Sequence, residues 1–292
     1  MKRMELDFRL IHDESSKTSL GESPVWDPET GVIWWVDIQG KKLCRAGTDG
    51  QGVTVWNTPE QPGFVVLTAS DKPALGMQTG IYLFSAENET FELLVPFGGE
   101  GQRFNDACVD PSGRLWTSTM ALDAAPGLAA IHLISGDLEL QTRVSGLSIP
   151  NGLALDAEFG RLYFSDSAAA VQTIWFQSPA IGGTGNADAT TFASTAALGG
   201  RPDGAALDSR GHYWIAGVDG AALYVFDRTG HLERTIPVPF PAPTKLAFVG
   251  EDARAIAVTS KDIGEEGGYL ALANLPDGFA PGTIQPYWQS GV

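Results

Sequence analysis

Four oxygen-bearing residues open four apolar segments at one common distance from an acidic turn. Glu22 lies five residues before Asp27, Asn105 five before Asp110, Asn151 five before Asp156 and Asp203 five before Asp208. Singly, each could serve only to cap a turn or a strand start. Their shared phase predicts convergence instead, with two carboxylates and two carboxamides meeting at one place. Two carboxylates brought together in a poorly solvated site repel each other, and a divalent cation relieves that repulsion. Carboxylate and amide oxygens suit hard or borderline ions such as Ca²⁺, Mg²⁺, Mn²⁺, Fe²⁺ or Zn²⁺.

The elements that must position these residues recur along the chain. The segments beginning at Asp27, Asp110, Asp156 and Asp208 each read as an acidic turn followed by an aromatic-rich strand, which is a hairpin pattern. Weaker copies begin at Asp71 and Glu251. The six markers, at 27, 71, 110, 156, 208 and 251, are 39 to 52 residues apart, the length of a propeller blade. Further strands follow the hairpins, at Lys41 to Arg45, at Ala222 to Phe226 and at Leu232 to Ile236. Four strands per unit repeated six times predict an all-β, six-bladed β-propeller with four-stranded antiparallel blades, forming one domain over residues 1–292. A β-sandwich would require this in-phase spacing to be accidental.

In a propeller the innermost strand of each blade lines the axis, so residues that open equivalent strands converge at one end of the channel. The second strand returns toward the same end, which places Asp37, Thr119, Met120 and Asp166 near the predicted site as groups that orient ligands or line the pocket. Upstream of the first unit, Leu6, Phe8 and Leu10 alternate with Glu5, Asp7 and Arg9. This period-2 strand has no blade of its own and is expected to pair with the last blade, closing the ring and removing an open edge. The Gly182 to Asn186 stretch reads as a flexible insert in the longest repeat.

Composition narrows the function classes. The chain has 292 residues and a net charge of −16, which disfavours nucleic acid and anionic membranes as partners. Cys44 and Cys108 are its two cysteines, too few for a disulfide framework or a cysteine zinc cluster. The opening residues contain no apolar signal core and no long apolar run occurs, so the expectation is a cytoplasmic, reduced, monomeric protein. There is no G-x-S-x-G elbow, H-E-x-x-H, P-loop or G-x-G-x-x-G. None of the histidines, at 12, 132, 212 and 231, falls at the shared phase.

At these residues the chain resembles the SMP-30/gluconolactonase/LRE (regucalcin-like) family of metal-dependent lactonases. The resemblance spans nearly the whole chain. It is carried by Leu20 to Trp26, Trp34 to Ile38, Arg103 to Asp106, Ser118 to Met120, Pro150 to Leu153 and Pro202 to Gly204, with Pro243-Thr244 and Leu246 to Phe248 similar to the last blade. The resemblance implies that Glu22, Asn151 and Asp203 are metal ligands and that Asn105 contacts water or substrate beside the metal. It further implies that Arg103 grips substrate oxygens, that Met120 opens a lid loop, and that Asp123 stands where relatives can carry a substrate-binding Glu. The loop Ala121 to Gly127 departs from the family pattern in being short and mostly apolar.

The expected reaction is hydrolysis of a small lactone, a sugar lactone such as gluconolactone, to its hydroxy acid. One divalent ion (Ca²⁺, Zn²⁺, Mn²⁺, Mg²⁺ or Fe²⁺) would act as Lewis acid and Asp203 as general base. The alternatives are a non-catalytic calcium- or metal-binding propeller, and a lactonase or esterase for non-sugar substrates.

Overall fold

The structure, a computed structural model, describes residues 2–3, 5–11, 13–70, 72–179, 189–264 and 266–291, with the backbone alone at 2–3. The turn marker Asp71, the insert at Gly182 to Asn186 and His12 lie outside the described residues. Six antiparallel sheets form a six-bladed β-propeller. Their innermost strands are Gly21–Asp27, Phe64–Leu67, Gln102–Val109, Pro150–Asp156, Arg201–Leu207 and Pro243–Val249, in blades 1 to 6. Each touches the next around the ring, and the sixth returns to the first.

The N-terminal strand closes the ring as its alternation predicts. Phe8–Ile11 pairs antiparallel with Leu270–Asn274 and supplies the outermost strand of blade 6. Leu6, Phe8 and Leu10 pack into the apolar cluster between blades 5 and 6, while Glu5, Asp7 and Arg9 are exposed. One feature was not expected from sequence: Lys2–Arg3 adds a short parallel strand to the outer edge of blade 5.

The core is divided among the gaps between blades. Six buried apolar clusters each draw on two neighbouring blades. Trp35, Trp116 and Trp214, from the second strands, are each 1% exposed. Burial of an aromatic side chain of this size contributes about 1.5–3 kcal/mol or more.

The repeated turn has a specific bonding pattern that accounts for its sequence. Asp110 accepts bonds from the Ser112 and Arg114 amides and from Trp116 Nε1 at 3.1 Å. Asp208 does the same with the Arg210 and His212 amides and Trp214 Nε1 at 3.2 Å. One carboxylate thus satisfies both the tight turn and the indole N–H of a buried Trp.

The chain after Asn274 runs across the channel end that carries these turns. Thr283 donates to the Leu207 carbonyl, Trp288 to Leu67 and Gln289 to Gly113, all by backbone N–H. The Tyr287 hydroxyl reaches Asp27 Oδ1 at 3.0 Å. Chemistry along the axis is therefore left to the opposite end, where the innermost strands begin.

Candidate active site

Five of the six innermost strands carry a bulge at the same place, where two residues oppose one on the neighbouring strand. The doubled residues are Ser23-Pro24, Asn105-Asp106, Gly152-Leu153, Asp203-Gly204 and Thr244-Lys245. Blade 2, with Phe64, is paired without interruption. A bulge bends its strand and re-aims the side chains around it; here it takes in Asn105 and Asp203 and begins one residue after Glu22 and Asn151. Ser23 and Gly152 adopt positive φ, 52° and 66°. At Gly152 a Cβ would also lie 2.3 Å from the Tyr213 hydroxyl, which donates to the Gly152 carbonyl at 2.7 Å.

Two of the second-strand acids act on this geometry through the backbone. Asp37 accepts bonds from the Ser19 and Leu20 amides at 2.9 and 3.0 Å, just before the strand that carries Glu22. Asp166 accepts from the Ser148 and Ile149 amides at 2.8 and 3.1 Å, just before the strand that carries Asn151. Each carboxylate therefore fixes where an innermost strand starts.

A directed hydrogen-bond chain joins the polar residues of blades 3, 4 and 5. Arg103 Nη1 donates to Asn105 Oδ1 at 2.6 Å and to the Phe104 carbonyl at 2.8 Å. Asn105 Nδ2 donates to Asn151 Oδ1 at 2.9 Å and to the Pro150 carbonyl at 3.0 Å. Asn151 Nδ2 donates to Ser167 Oγ at 2.8 Å, and Ser167 Oγ donates to the Pro202 carbonyl at 2.5 Å. The ends dictate the direction, because a guanidinium can only donate and a carbonyl can only accept. Asn151 Oδ1 accordingly accepts from the neutral amide of Asn105 and Asn105 Oδ1 from the cationic Arg103, each keeping a second lone pair. Arg103, Asn105, Asn151 and Asp203 are all buried, and Glu22 is partly so.

The carboxylates are electrostatically coupled. Burial, then the negative charge of Asp106, raises the Glu22 carboxyl above its ordinary range. Burial, then Glu22 and Asp106, raises Asp203 well above its own. Both shifts mark groups that resist ionising together and that a cation would favour. Arg103 is lowered to about 10 by burial, against the pull of Glu22 and Asp203, and keeps its positive charge at neutral pH.

The remaining predicted residues take different positions. Met120 pairs in register with Arg103 and packs between blades 3 and 4. Thr119 bonds to His132 Nε2 at 2.9 Å, and burial lowers that imidazole to about 4. Asp123 is exposed and accepts from the Ala125 amide of its own loop at 3.0 Å. Leu122 and Leu128, on the same loop, are also exposed.

Two buried groups escaped the sequence reading. Asp106 and Lys245, each the second residue of its bulge in blades 3 and 6, meet at 2.5 Å. Asp106 directly follows Asn105 and could have been found by extending the blade alignment one residue, whereas Lys245 lies six residues before Glu251 and keeps no common spacing with it. No group of three or more His, Cys, Asp or Glu residues suited to a metal occurs among the described residues. A cation here would therefore need an amide oxygen, which Asn151 offers, beside the carboxylates of Glu22 and Asp203.

Comparison with known proteins places the chain. The model of the SMP-30/Gluconolactonase/LRE-like region matches residues 20–262. The chain is 32% identical over 245 residues to 6-deoxy-6-sulfogluconolactonase of Pseudomonas putida, covering 82% of this chain and 83% of that one. It is 27% identical over 271 residues to a pentonolactonase of Haloferax volcanii, covering 91% and 89%. Among solved structures, a calcium-binding regucalcin from Agrobacterium tumefaciens superposes with a TM-score of 0.88 at 23% identity, covering 99% of each chain, which speaks for the fold. No helix among the described residues is long and apolar enough to cross a membrane.

Proposed function

The chain belongs to the SMP-30/gluconolactonase/LRE-like family, and from that premise we propose that it hydrolyses a small sugar lactone using one divalent ion held by Glu22, Asn151 and Asp203. The observation that carries the reading is the buried Arg103–Asn105–Asn151 chain beside two mutually repelling carboxylates. A divalent ion bound there would supply a Lewis acid for the lactone carbonyl and for the attacking water.

The protein's own groups account for the remaining chemistry. Asp203, whose carboxyl is raised by burial and by Glu22, accepts a proton from water as that water attacks the carbonyl carbon. The ring C–O bond then breaks, and the departing oxygen takes the proton back, giving the open hydroxy acid. Arg103 donates to lactone oxygens and to the charge that develops on the carbonyl oxygen, while Asn105 holds the guanidinium in place. Met120, near the end of the second strand of blade 3, and Asp123, in the loop that follows that strand, border the substrate in this reading. The whole chain acts in this reading as one propeller domain working as a monomer.

Lactones in the names of the two sequence relatives support a sugar-derived substrate. The calcium-binding neighbour raises a second reading, cation binding without catalysis. Arg103 argues against it, since an ion store gains nothing from a buried guanidinium beside the ion. The deciding experiment strips the protein of metal, reloads it with each candidate ion and assays aldonolactones beside aliphatic lactones. Metal-dependent opening of an aldonolactone supports the proposal. Turnover of aliphatic lactones alone would move the substrate class, and no turnover with any ion would favour the non-catalytic reading.

A further inference from the structure

The buried ion pair on the channel axis has a consequence for how many cations the channel holds. Blades 3 and 6 face each other across the ring. From blade 6, Lys245 extends across the channel and places Nζ 2.5 Å from Asp106 Oδ1 and 2.9 Å from the Ala107 carbonyl, both in blade 3. Asp106 is held on its other side by the Leu153 amide of blade 4 at 2.8 Å. Both side chains are buried, at 6% and 3% exposure.

The passage for this lysine is built into the sequence. A Cβ at Gly204 would fall 2.3 Å from Lys245 Cβ and Cγ, so the glycine of blade 5 clears the route for the aliphatic stem. Burial alone would lower the Lys245 ammonium, but the charge of Asp106 and its hydrogen bond outweigh burial and raise it. The group is therefore a cation at every physiological pH. Below the pair, a cavity of about 100 Å³ runs along the axis, lined by Val25, Cys108, Leu153, Ala205 and Leu246. Lys245 itself lines this apolar cavity, and its charge also acts on the carboxylates of Glu22 and Asp203.

We propose that Lys245 is a built-in cation occupying the lower half of the acidic channel, so that the propeller takes one divalent ion where its three carboxylates, Glu22, Asp106 and Asp203, would otherwise accept two. The ammonium sits where a second ion would find the Asp106 carboxylate and the Ala107 carbonyl, oxygen donors suited to a hard cation. The inference rests on the Glu22–Asn151–Asp203 reading for the first ion, and the two can fail separately.

The test uses Lys245→Met, which keeps an unbranched stem beneath Gly204 and removes the charge, and Lys245→Met/Asp106→Asn, which removes the carboxylate as well. Each full-length protein is dialysed against Ca²⁺ or Mn²⁺ up to about 10 mM, above the weakest range for protein calcium sites, and bound metal is counted by elemental analysis. The expected result is one ion per chain in the wild type, two in Lys245→Met and one in the double variant. The second ion should also raise the Tm of Lys245→Met with rising metal concentration. If Lys245→Met folds only with metal and then holds two ions, the result is the same. One ion in Lys245→Met overturns the proposal, as does a Lys245→Met chain that fails to fold even with metal while the double variant folds. Zero ions in the wild type and one in Lys245→Met would refute the upper site and leave the role of Lys245 standing.

Discussion

The side-chain amide of Asn105 donates to Oδ1 of Asn151 at 2.9 Å and so ties blade 3 to blade 4 beside the axis. That oxygen is the one assigned to the metal, and its direction is set by the groups on either side of it. Asn105→Ala removes one of those groups without touching the proposed ligands. Metal affinity should fall about 10–100-fold, the usual effect of losing support behind a ligand. Equilibrium dialysis reads this directly, and unchanged affinity would show that Ser167 alone orients Asn151.

Asp203→Asn keeps the shape and one oxygen donor but removes charge and basicity. Lactonase rate at saturating metal should fall at least about 100-fold, the scale for a lost general base, and metal should bind more weakly. Full activity at saturating metal would remove Asp203 from the proton-transfer step. Spontaneous ring opening at the same pH must be subtracted.

Arg103→Ala separates substrate handling from metal binding. The guanidinium donates to Asn105 and Phe104 and is not a proposed ligand, so bound metal should stay near one ion per chain. The kcat/KM should drop through lost positioning. Arg103→Lys should recover only part of it, because an ammonium cannot reproduce the planar fork. Wild-type kcat/KM in Arg103→Ala would favour the non-catalytic reading.

The turn pair Asp208 and His212 gives a stability prediction that does not depend on the active site. His212 Nδ1 donates to Asp208 Oδ2 at 2.9 Å, and that bond holds the imidazolium above its ordinary 6.5. A raised folded-state value means the stabilisation is complete below 6.5 and is lost as pH rises through the folded value. Burial would raise the Asp208 carboxyl, but bonds from His212 and Trp214 prevail and lower it. Its share is therefore present above 3.8 and lost as pH falls through its lowered value. Wild-type Tm should decline as pH rises from 6.5 through the raised folded value of His212. His212→Gln should lack that decline, and identical profiles would show that the pair contributes nothing.

Asp166→Ala tests positioning through the backbone. The carboxylate accepts from Ser148, Ile149 and Ala168 amides, and its loss leaves buried donors unpaired at about 1–3 kcal/mol. The strand that carries Asn151 should start less precisely. Both Tm and metal affinity should fall together, whereas a purely structural role would lower Tm with metal affinity intact.

The sequence by itself determined the ring and the level of the site within it. Acidic turns at regular intervals, four of them followed by an aromatic-rich strand and two by weaker copies, define six blades, because hairpin chemistry and period-2 burial are local properties. Leu6, Phe8 and Leu10 likewise identified the closing strand. Glu22, Asn105, Asn151 and Asp203 could be found because a repeat converts equal phase into equal height along the axis. Tertiary structure alone decided what depends on meetings across the ring. The order of donors from Arg103 to Pro202 requires three blades at fixed distances. Lys245 and Asp106, 139 positions apart, lie in opposite blades, and their pairing depends on the bulges and on the space left by Gly204. No local pattern records such a contact, because it exists only once the ring has closed.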